Sequence, residues 1–249
     1  MDVRWIWVFL DCPQPAGAAW EFWCRATGST LSSRRGERGE FATLLPAQGD
    51  PWLKVQEVRT GGGVHLDLDV PDVDTAVGQA VRLGAREVHR YPEGTVVVMT
   101  SPGGFTFCVT AWNGRERTGW RPGPGSDGDA VDQVALDIPP DLYAAEVAFW
   151  SHLLGVEPER GSRAEFVVLT LSPPLRLRLL LHRLDEPGDR TTVTGHVDLA
   201  CADRAATRAR HVGLGAIHVG EGARWSVMRG VGTAAYCLTD RDPRTGRLP

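Results

Sequence analysis

The chain has 249 residues, of which 42% are apolar and 23% charged, a composition typical of a folded globular protein. Its 27 basic and 31 acidic side chains give a net charge of −4, which argues against a nucleic-acid partner. The five cysteines form no Cys-x-x-Cys pair, which disfavours a disulfide framework and a zinc finger and favours a reducing compartment.

The sequence pattern does not predict a signal peptide or a membrane-spanning segment. The first residues do not show the basic, apolar and small-residue succession of a signal peptide, and no apolar segment is long enough to span a bilayer. The sequence therefore predicts a cytoplasmic protein that makes no membrane contact.

Residues 1–112 are predicted to form a first domain. Its opening strand, over 4–10, is apolar on both alternating faces, as in a strand that is buried on both sides. A helix over 17–27 ends before Gly28, and strands follow over 41–45 and 52–58, with one more expected near Leu31.

A glycine-rich joint over 59–63 leads to a second group of elements. This group consists of a strand around His65, a helix over 73–83 with Asp72 as its cap, and strands over 85–89, 95–100 and 105–110. Residues 113–129 are rich in glycine and proline and are predicted to be an interdomain linker.

The same plan follows in residues 130–240, the predicted second domain. It comprises a strand over 133–138, a helix over 142–154 that ends at Gly155, strands over 166–171 and 175–182, a joint over 186–195 and a last unit that starts at His196. Residues 241–249 are predicted to be a polar, frayed tail.

Two motifs recur in register along the chain. A histidine followed two residues later by an aspartate stands at His65 and Asp67, and again at His196 and Asp198. A Leu-Gly-Ala follows each histidine at the same spacing, and an aromatic-Cys-aliphatic run ends each copy, with Cys108 and Cys237 as its cysteines. Because such internal repetition determines a fold, the sequence predicts four β-α-β-β-β units in two pairs.

This arrangement resembles the vicinal oxygen chelate superfamily, which includes glyoxalase I, bleomycin-resistance proteins and extradiol dioxygenases. The resemblance is carried by His-Leu-Asp-Leu-Asp-Val-Pro-Asp from His65, by the Leu-Gly-Ala after the helix, and by Val-Met-Thr-Ser-Pro-Gly-Gly-Phe-Thr-Phe-Cys, which ends at Cys108. It implies an α+β fold of two glyoxalase-like domains, each a curved, cup-shaped mixed sheet with helices on its outer face.

The resemblance also implies metal-ligand positions on the first and last strands of each unit, facing the cup. Carried over residue by residue, the first-domain positions are Trp7, about Gln56, His65 and Cys108. Those of the second domain are Gln133, about Leu180, His196 and Cys237. Since indole and leucine side chains cannot ligate a metal and a Cys-His pair fills only half of a coordination sphere, the sequence predicts no metal and no other cofactor.

Strand alternation predicts which side chains face the first cup. They are Trp5, Trp7, Phe9, Trp52, Lys54 and Gln56, together with Cys108. An apolar wall with few polar groups suits a planar organic ligand. The alternative is that the tryptophans fill the cup themselves as core.

The second cup is predicted to be polar and partly cationic. Its residues are Gln133, Asp137, Arg176, Arg178 and His182, together with Cys237. This lining suits a carboxylate, phosphate or enolate group. The alternative is that Arg176 and Arg178 form the solvated face of an edge strand.

The two His-Asp pairs are the candidate catalytic groups. His65 with Asp67, and His196 with Asp198, share one strand face, where the carboxylate could orient the imidazole as a general base. The alternative is structural, since a buried aspartate beside a histidine also forms a hydrogen bond that stabilises the fold.

Three hypotheses for the function remain, because this fold supports many chemistries. The first is a metal-independent protein that binds a hydrophobic or aromatic natural-product-like compound, as bleomycin-resistance proteins do. The second is a metal-independent lyase, isomerase or cyclase that uses a His-Asp pair, and the third is a metal-dependent glyoxalase or dioxygenase. A small organic molecule is the expected partner, and the resemblance adds a homodimer.

Overall fold

The structure, a computed structural model, describes residues 1–119, 128–175, 177–186 and 190–249. Residues 120–127 of the linker expected over 113–129 therefore lie outside the described residues, as do Arg176 and part of the joint expected over 186–195. Within the described ranges the chain forms four helices and sixteen strands.

The order of these elements repeats β-α-β-β-β four times. The first ten are β1 (Trp5–Pro13), α1 (Gly17–Thr27), β2 (Thr30–Leu31), β3 (Phe41–Leu45), β4 (Leu53–Val58), β5 (Gly63–Val70), α2 (Val73–Arg82), β6 (Arg86–Arg90), β7 (Val96–Thr100) and β8 (Thr106–Ala111). The second ten are β9 (Ala130–Ile138), α3 (Tyr143–Leu154), β10 (Glu159–Arg160), β11 (Phe166–Thr170), β12 (Arg178–Arg183), β13 (Thr194–Ala200), α4 (Arg204–Gly213), β14 (Ile217–Glu221), β15 (Trp225–Arg229) and β16 (Ala235–Thr239). The predicted α+β fold of four units is confirmed, including the short strand at Leu31.

The strands form two mixed, eight-stranded sheets of identical topology. The first has the order β2-β3-β4-β1-β5-β8-β7-β6 and the second the order β10-β11-β12-β9-β13-β16-β15-β14. Hairpin neighbours such as β7 and β8 run antiparallel, whereas β5 pairs with β8, and β13 with β16, in parallel. A parallel pair needs a long crossover connection, and the helix and two strands between β5 and β8 supply it.

The described chain divides into two compact units, each of which takes strands from both sheets. Unit 1 comprises Met1–Val8, His65–Arg117 and Val134–Gly195. Unit 2 comprises Phe9–Val64, Thr118–Gln133 and His196–Pro249. The domain limits expected near 112 and 130 stay a prediction.

The helix ends follow the local signals in the sequence. Helices α1 and α3 end at Gly28 and Gly155, whose φ angles of 63° and 65° are left-handed and therefore favour glycine. Helix α2 begins at Asp72, whose side chain accepts a hydrogen bond from the backbone N–H of Thr75. Asp203 caps α4 in the same way through Ala206.

Strand β1 is buried on both faces, as its sequence predicts. Trp5 and Phe9 on one face, and Ile6 and Val8 on the other, are each 5% exposed or less. Burying an apolar side chain of this size contributes about 1.5–3 kcal/mol, so the strand is a major part of the core.

Glu146 of α3 is a buried carboxyl group inside unit 1. Its two oxygens accept hydrogen bonds from the backbone N–H of Gly103, at 2.6 Å, and from Nε1 of Trp150, at 2.8 Å. Burial raises its pKa, although these hydrogen bonds oppose the shift. A Cβ atom at Gly103 would lie 2.6 Å from the Val193 side chain, so the Pro-Gly-Gly turn needs glycine here to approach closely.

His211 of α4 is the corresponding buried polar group inside unit 2. It is fully buried, and its Nδ1 lies 2.7 Å from the Tyr236 hydroxyl. Burial, with a smaller contribution from the charge of Arg210, lowers the pKa of His211 to about 4. The folded state therefore holds a neutral imidazole.

None of the helices in the described part of the chain combines the length and the apolar character that crossing a membrane requires. None of the five cysteines, all of which lie in the described part of the chain, forms a disulfide.

Replacing Glu146 by alanine is expected to lower the free energy of unfolding by about 2–4 kcal/mol, because two buried N–H groups lose their acceptor. Chemical denaturation measures the change. The control is Glu21→Ala, which removes an exposed glutamate of α1 and should change stability by less than about 0.5 kcal/mol. Equal losses in both variants would contradict the role of Glu146 as a buried acceptor.

Stability is expected to fall as the pH decreases from about 6.5 to about 4, because the folded pKa of His211 lies below that of an unfolded histidine. The unfolded state then binds the proton more readily than the folded state does. The resulting loss of folding free energy reaches about 2 kcal/mol near pH 5. The His211→Gln variant should lose this component of the slope in denaturation curves measured across that range. The exposed His152→Gln control should keep it, and identical slopes for all three proteins would refute the assignment.

Candidate functional site

The parallel pairing of β5 and β8 builds the first site, which consists of His65, Asp67 and Cys108. The register places Asp67 directly opposite Cys108, and His65 lies two residues earlier on the same face. Nε2 of His65 is 3.7 Å from Oδ1 of Asp67. One donor atom from each of the three residues lies within 4.8 Å of the others. The three side chains therefore converge inside unit 1.

The second site, His196, Asp198 and Cys237, repeats this geometry inside unit 2. Asp198 stands opposite Cys237 in the parallel register of β13 and β16. Nε2 of His196 is 3.3 Å from Oδ1 of Asp198 and 3.6 Å from Sγ of Cys237. The same ring nitrogen thus faces both partners.

Polar side chains surround the carboxylate of the second site. Oδ2 of Asp198 accepts a hydrogen bond from Nε2 of Gln133 at 2.5 Å, and Nη1 of Arg241 is 3.9 Å away. Arg241 also donates two hydrogen bonds to Asp132, at 3.0 and 2.5 Å, although its side chain is only 7% exposed. Burial alone would lower the pKa of Arg241, but the charge of Asp132 raises it overall.

Trp5 and Trp7 of the predicted first cup lie next to the first site within unit 1. Their rings meet at 74° with centroids 6.4 Å apart. Nε1 of Trp7 donates to Oδ2 of Asp69 at 3.0 Å, and Arg117 covers both rings with its guanidinium 5.0 and 4.9 Å from the two centroids. Trp5 is therefore buried at 1% exposure, while Trp7 stays partly exposed.

The other residues predicted for the first cup lie in unit 2. Nζ of Lys54 is 4.8 Å from the ring centroid of Phe9, which also meets Phe41 edge to face at 6.3 Å. Trp52 precedes β4 and is buried, and Gln56 is partly buried opposite Phe41. Lys54 and Phe9 therefore share a face, as strand alternation predicts.

Three of the residues predicted for the second cup lie in unit 1. Nδ1 of His182 is 2.8 Å from Oδ1 of Asp137, and Nη1 of Arg190 is 3.8 Å from the other oxygen of Asp137. The His182 ring also meets Phe166 edge to face at 5.0 Å. Arg178 is half-buried at the start of β12, and Arg176 lies outside the described residues.

Sequence reasoning missed four features of the two clusters and their surroundings. It assigned Asp67 and Asp198 to orienting a histidine and did not group them with the cysteines. The signal that could have found them is the parallel register, which sets each aspartate opposite a cysteine. It also missed Arg117 and Arg241, the second of which departs from the expectation of a frayed tail because it is buried against Asp132.

Arg241→Met is expected to lower the free energy of unfolding by about 3–5 kcal/mol, because it leaves the buried charge of Asp132 without its partner. The double variant Asp132→Leu with Arg241→Met should recover most of this loss, because neither charge remains. Arg244→Met, in the exposed part of the same tail, serves as the control. A double variant as unstable as Arg241→Met would overturn this account of the pair.

Comparisons with known proteins agree with the repeated fold. The family described as Glyoxalase-like domain matches residues 7–110 and again residues 133–239. No curated protein matches the chain.

Solved structures share the fold over nearly the whole chain. The Mn(II)-bound glyoxalase from Novosphingobium aromaticivorans is 16% identical, with a TM-score of 0.64, over 100% of this chain and 87% of its own. A variant of 4-hydroxymandelate synthase from Streptomyces coelicolor is 12% identical, with a TM-score of 0.62, over 96% and 92%. The 2,2′,3-trihydroxybiphenyl 1,2-dioxygenase from Sphingomonas wittichii is 13% identical, with a TM-score of 0.62, over 99% and 95%. Likeness at such identities concerns the fold alone. The two matched segments show that the chain belongs to the glyoxalase-like domain family and carries two repeats of that domain.

Proposed function

We propose that each repeat binds one divalent cation of the Zn²⁺ type through its His-Asp-Cys site, and that the protein acts there on a small organic molecule in a glyoxalase-type isomerase or lyase reaction. The observation that carries this proposal is the convergence of three donor atoms in both repeats, within 4.8 Å of one another. Both clusters bring together a nitrogen, an oxygen and a sulfur donor, which are the atom types that a Zn²⁺-type ion binds.

The separations between the donor atoms of each site are those that a bound Zn²⁺ ion requires. Zn²⁺ binds nitrogen and oxygen at about 2.0–2.2 Å and sulfur at about 2.3 Å, so tetrahedral donors stand about 3–4 Å apart. The separations of 3.3 and 3.6 Å around Nε2 of His196, and of 3.7 Å between His65 and Asp67, fall in this range. Trp7 and Leu180 cannot donate at their positions, and Asp67 and Asp198 replace them as third donors.

The types of donor decide which chemistry is supported. Non-haem iron oxygenases use two histidines and a carboxylate, whereas a cysteine sulfur is a softer ligand that suits Zn²⁺. Three protein ligands and one open position are the pattern of a catalytic zinc site. A divalent ion held in this way supplies Lewis-acid polarisation of a carbonyl or enolate oxygen. We therefore favour the glyoxalase type over the dioxygenase type.

The residues around the second site have supporting roles. Gln133 holds one oxygen of Asp198 and leaves the other directed at His196, an arrangement that orients a ligand carboxylate. Arg241 lies beside the same oxygen and offsets the negative charge of the site. Gln133, which stands at a position where the resemblance implies a metal ligand, thus forms a hydrogen bond to Asp198 instead.

The metal-independent base hypothesis has less support in this geometry. A general base oriented by a carboxylate uses one ring nitrogen for the carboxylate and the other for the substrate. His196 directs the same nitrogen, Nε2, at both Asp198 and Cys237. An oxygen and a sulfur atom that both lie close to one ring nitrogen are typical of ligands around a common metal ion.

A second candidate function is metal-independent binding of an aromatic compound, the first hypothesis from the sequence. It is favoured by the hydrogen bond from Gln133, which stabilises Asp198 without a cation, and by the indole wall of Trp5 and Trp7. Absence of a metal therefore stays a prediction, and cation uptake distinguishes the two candidates.

Zn²⁺ added to the metal-stripped full-length chain is expected to bind at about two ions per chain, one for each three-donor site. Equilibrium dialysis with elemental analysis measures the uptake. His65→Ala and His196→Ala should each lose one ion, whereas the exposed His89→Ala control should retain both.

Co²⁺ gives an independent reading of the same sites, because its bond to a thiolate produces a charge-transfer absorption band. Cys108→Ser and Cys237→Ser should each weaken this band, and Cys201→Ser, which removes a buried thiol outside both sites, should not. A chain that takes up no ion and shows no band would exclude the metal proposal and leave metal-independent binding.

A further inference from the structure

Trp5, Trp7 and Asp69 lie around the guanidinium group of Arg117 within unit 1. The two indole rings stand at 74° to each other, so they form two adjoining walls, and the carboxylate of Asp69 lies against Trp7. Aromatic faces attract a cation through the ring quadrupole, and a carboxylate attracts it through its charge. These three side chains together have the composition of a cation cage.

The carboxylate of this cage is fixed before any ligand arrives. Oδ2 of Asp69 accepts the hydrogen bond from Nε1 of Trp7 at 3.0 Å, and Oδ1 accepts one from the Thr110 hydroxyl at 2.7 Å. Its side chain is 10% exposed. A preorganised acceptor of this kind loses little entropy when it binds a positive group.

Arg117 occupies the cage. Its Nη1 is 3.5 Å from Oδ2 of Asp69, its guanidinium carbon lies 5.0 and 4.9 Å from the ring centroids of Trp5 and Trp7, and its side chain is 6% exposed. Arg117 belongs to the segment that follows β8, and the next residue, Thr118, donates its N–H to Asp50 at 2.8 Å. The chain therefore supplies its own guanidinium from a segment outside the sheet.

The fold does not require this arrangement, because the second repeat has the same topology without it. At the positions of Trp5, Trp7 and Asp69 the second repeat carries Val131, Gln133 and Ala200. Its parallel strand pair is nevertheless formed with the same register. The cage is thus a feature of the first repeat and not of the scaffold.

We propose that the cage is a binding site for an organic cation, a guanidinium or protonated amine on a small molecule, and that Arg117 is an internal ligand which such a molecule displaces. Asp69 faces Thr110 two residues along β5 from the Asp67–Cys108 pair, so a ligand whose cation enters the cage places its body at the first site. This inference stands on a different observation from the proposed function and holds with or without a metal.

Benzylguanidinium and its neutral isostere benzylurea test the inference by isothermal titration of the full-length chain. Arg117→Ala is expected to bind benzylguanidinium at least about tenfold more tightly than the wild type, because no internal ligand has to leave first. Benzylurea should gain nothing. Adding Asp69→Asn to Arg117→Ala should abolish the gain.

Arg115→Ala is the matched control, since it removes an exposed arginine from the same segment and should retain wild-type affinity. Equal affinity of the wild type and Arg117→Ala for benzylguanidinium, or an equal gain for benzylurea, would overturn the inference. If Arg117→Ala does not melt cooperatively, Arg117→Met replaces it, because methionine keeps the packing on the indoles without the charge. Because this variant no longer competes for the Asp69 carboxylate but still covers the indoles, a smaller gain for benzylguanidinium is expected, with none for benzylurea, and its absence also overturns the inference. Zn²⁺ uptake, measured separately, reports on the proposed function alone.

Discussion

Parallel pairing of β5 with β8, and of β13 with β16, is the constraint on which both sites depend. In a parallel ladder the register fixes which residues stand side by side, and here it sets Asp67 opposite Cys108 and Asp198 opposite Cys237. Alternation along the strand then brings the histidine two residues earlier to the same face. A shift of one residue in either strand would turn that strand's members of the cluster to the opposite face of the sheet and separate them from the rest.

The two repeats keep this constraint and differ in what surrounds it. In the first repeat the neighbouring positions hold Trp7 and Asp69 with an inserted Arg117, which makes an aromatic and anionic environment. In the second they hold Gln133 and Ala200, and the carboxylate of Asp198 is hydrogen-bonded and faces a cationic side chain. One topology therefore carries two different side-chain environments.

Local features of the fold could be predicted from the sequence because their causes are local. Gly28 and Gly155 end helices α1 and α3 because their left-handed backbone angle favours glycine, and Asp72 caps the N-terminus of α2. The repeated His-x-Asp motif marks the recurrence of the β-α-β-β-β unit. Arg241 and Arg117 could not be predicted, because their partners lie far away in the sequence and in other elements. Alternation gives the face of a strand, but it does not say which long side chain from outside the sheet will cover that face. The place of Asp67 and Asp198 beside the cysteines was missed for a related reason, since it depends on a register that strand patterns do not specify.

X-ray absorption spectroscopy of the Zn²⁺-loaded chain tests the central claim most directly, because it counts the donor atoms around the ion. A three-donor site of this kind predicts one sulfur at about 2.3 Å and the remaining nitrogen or oxygen donors at about 2.0–2.2 Å. The sulfur should vanish in the variant that combines Cys108→Ser with Cys237→Ser. A first shell of oxygen and nitrogen alone in the wild-type chain would contradict the account.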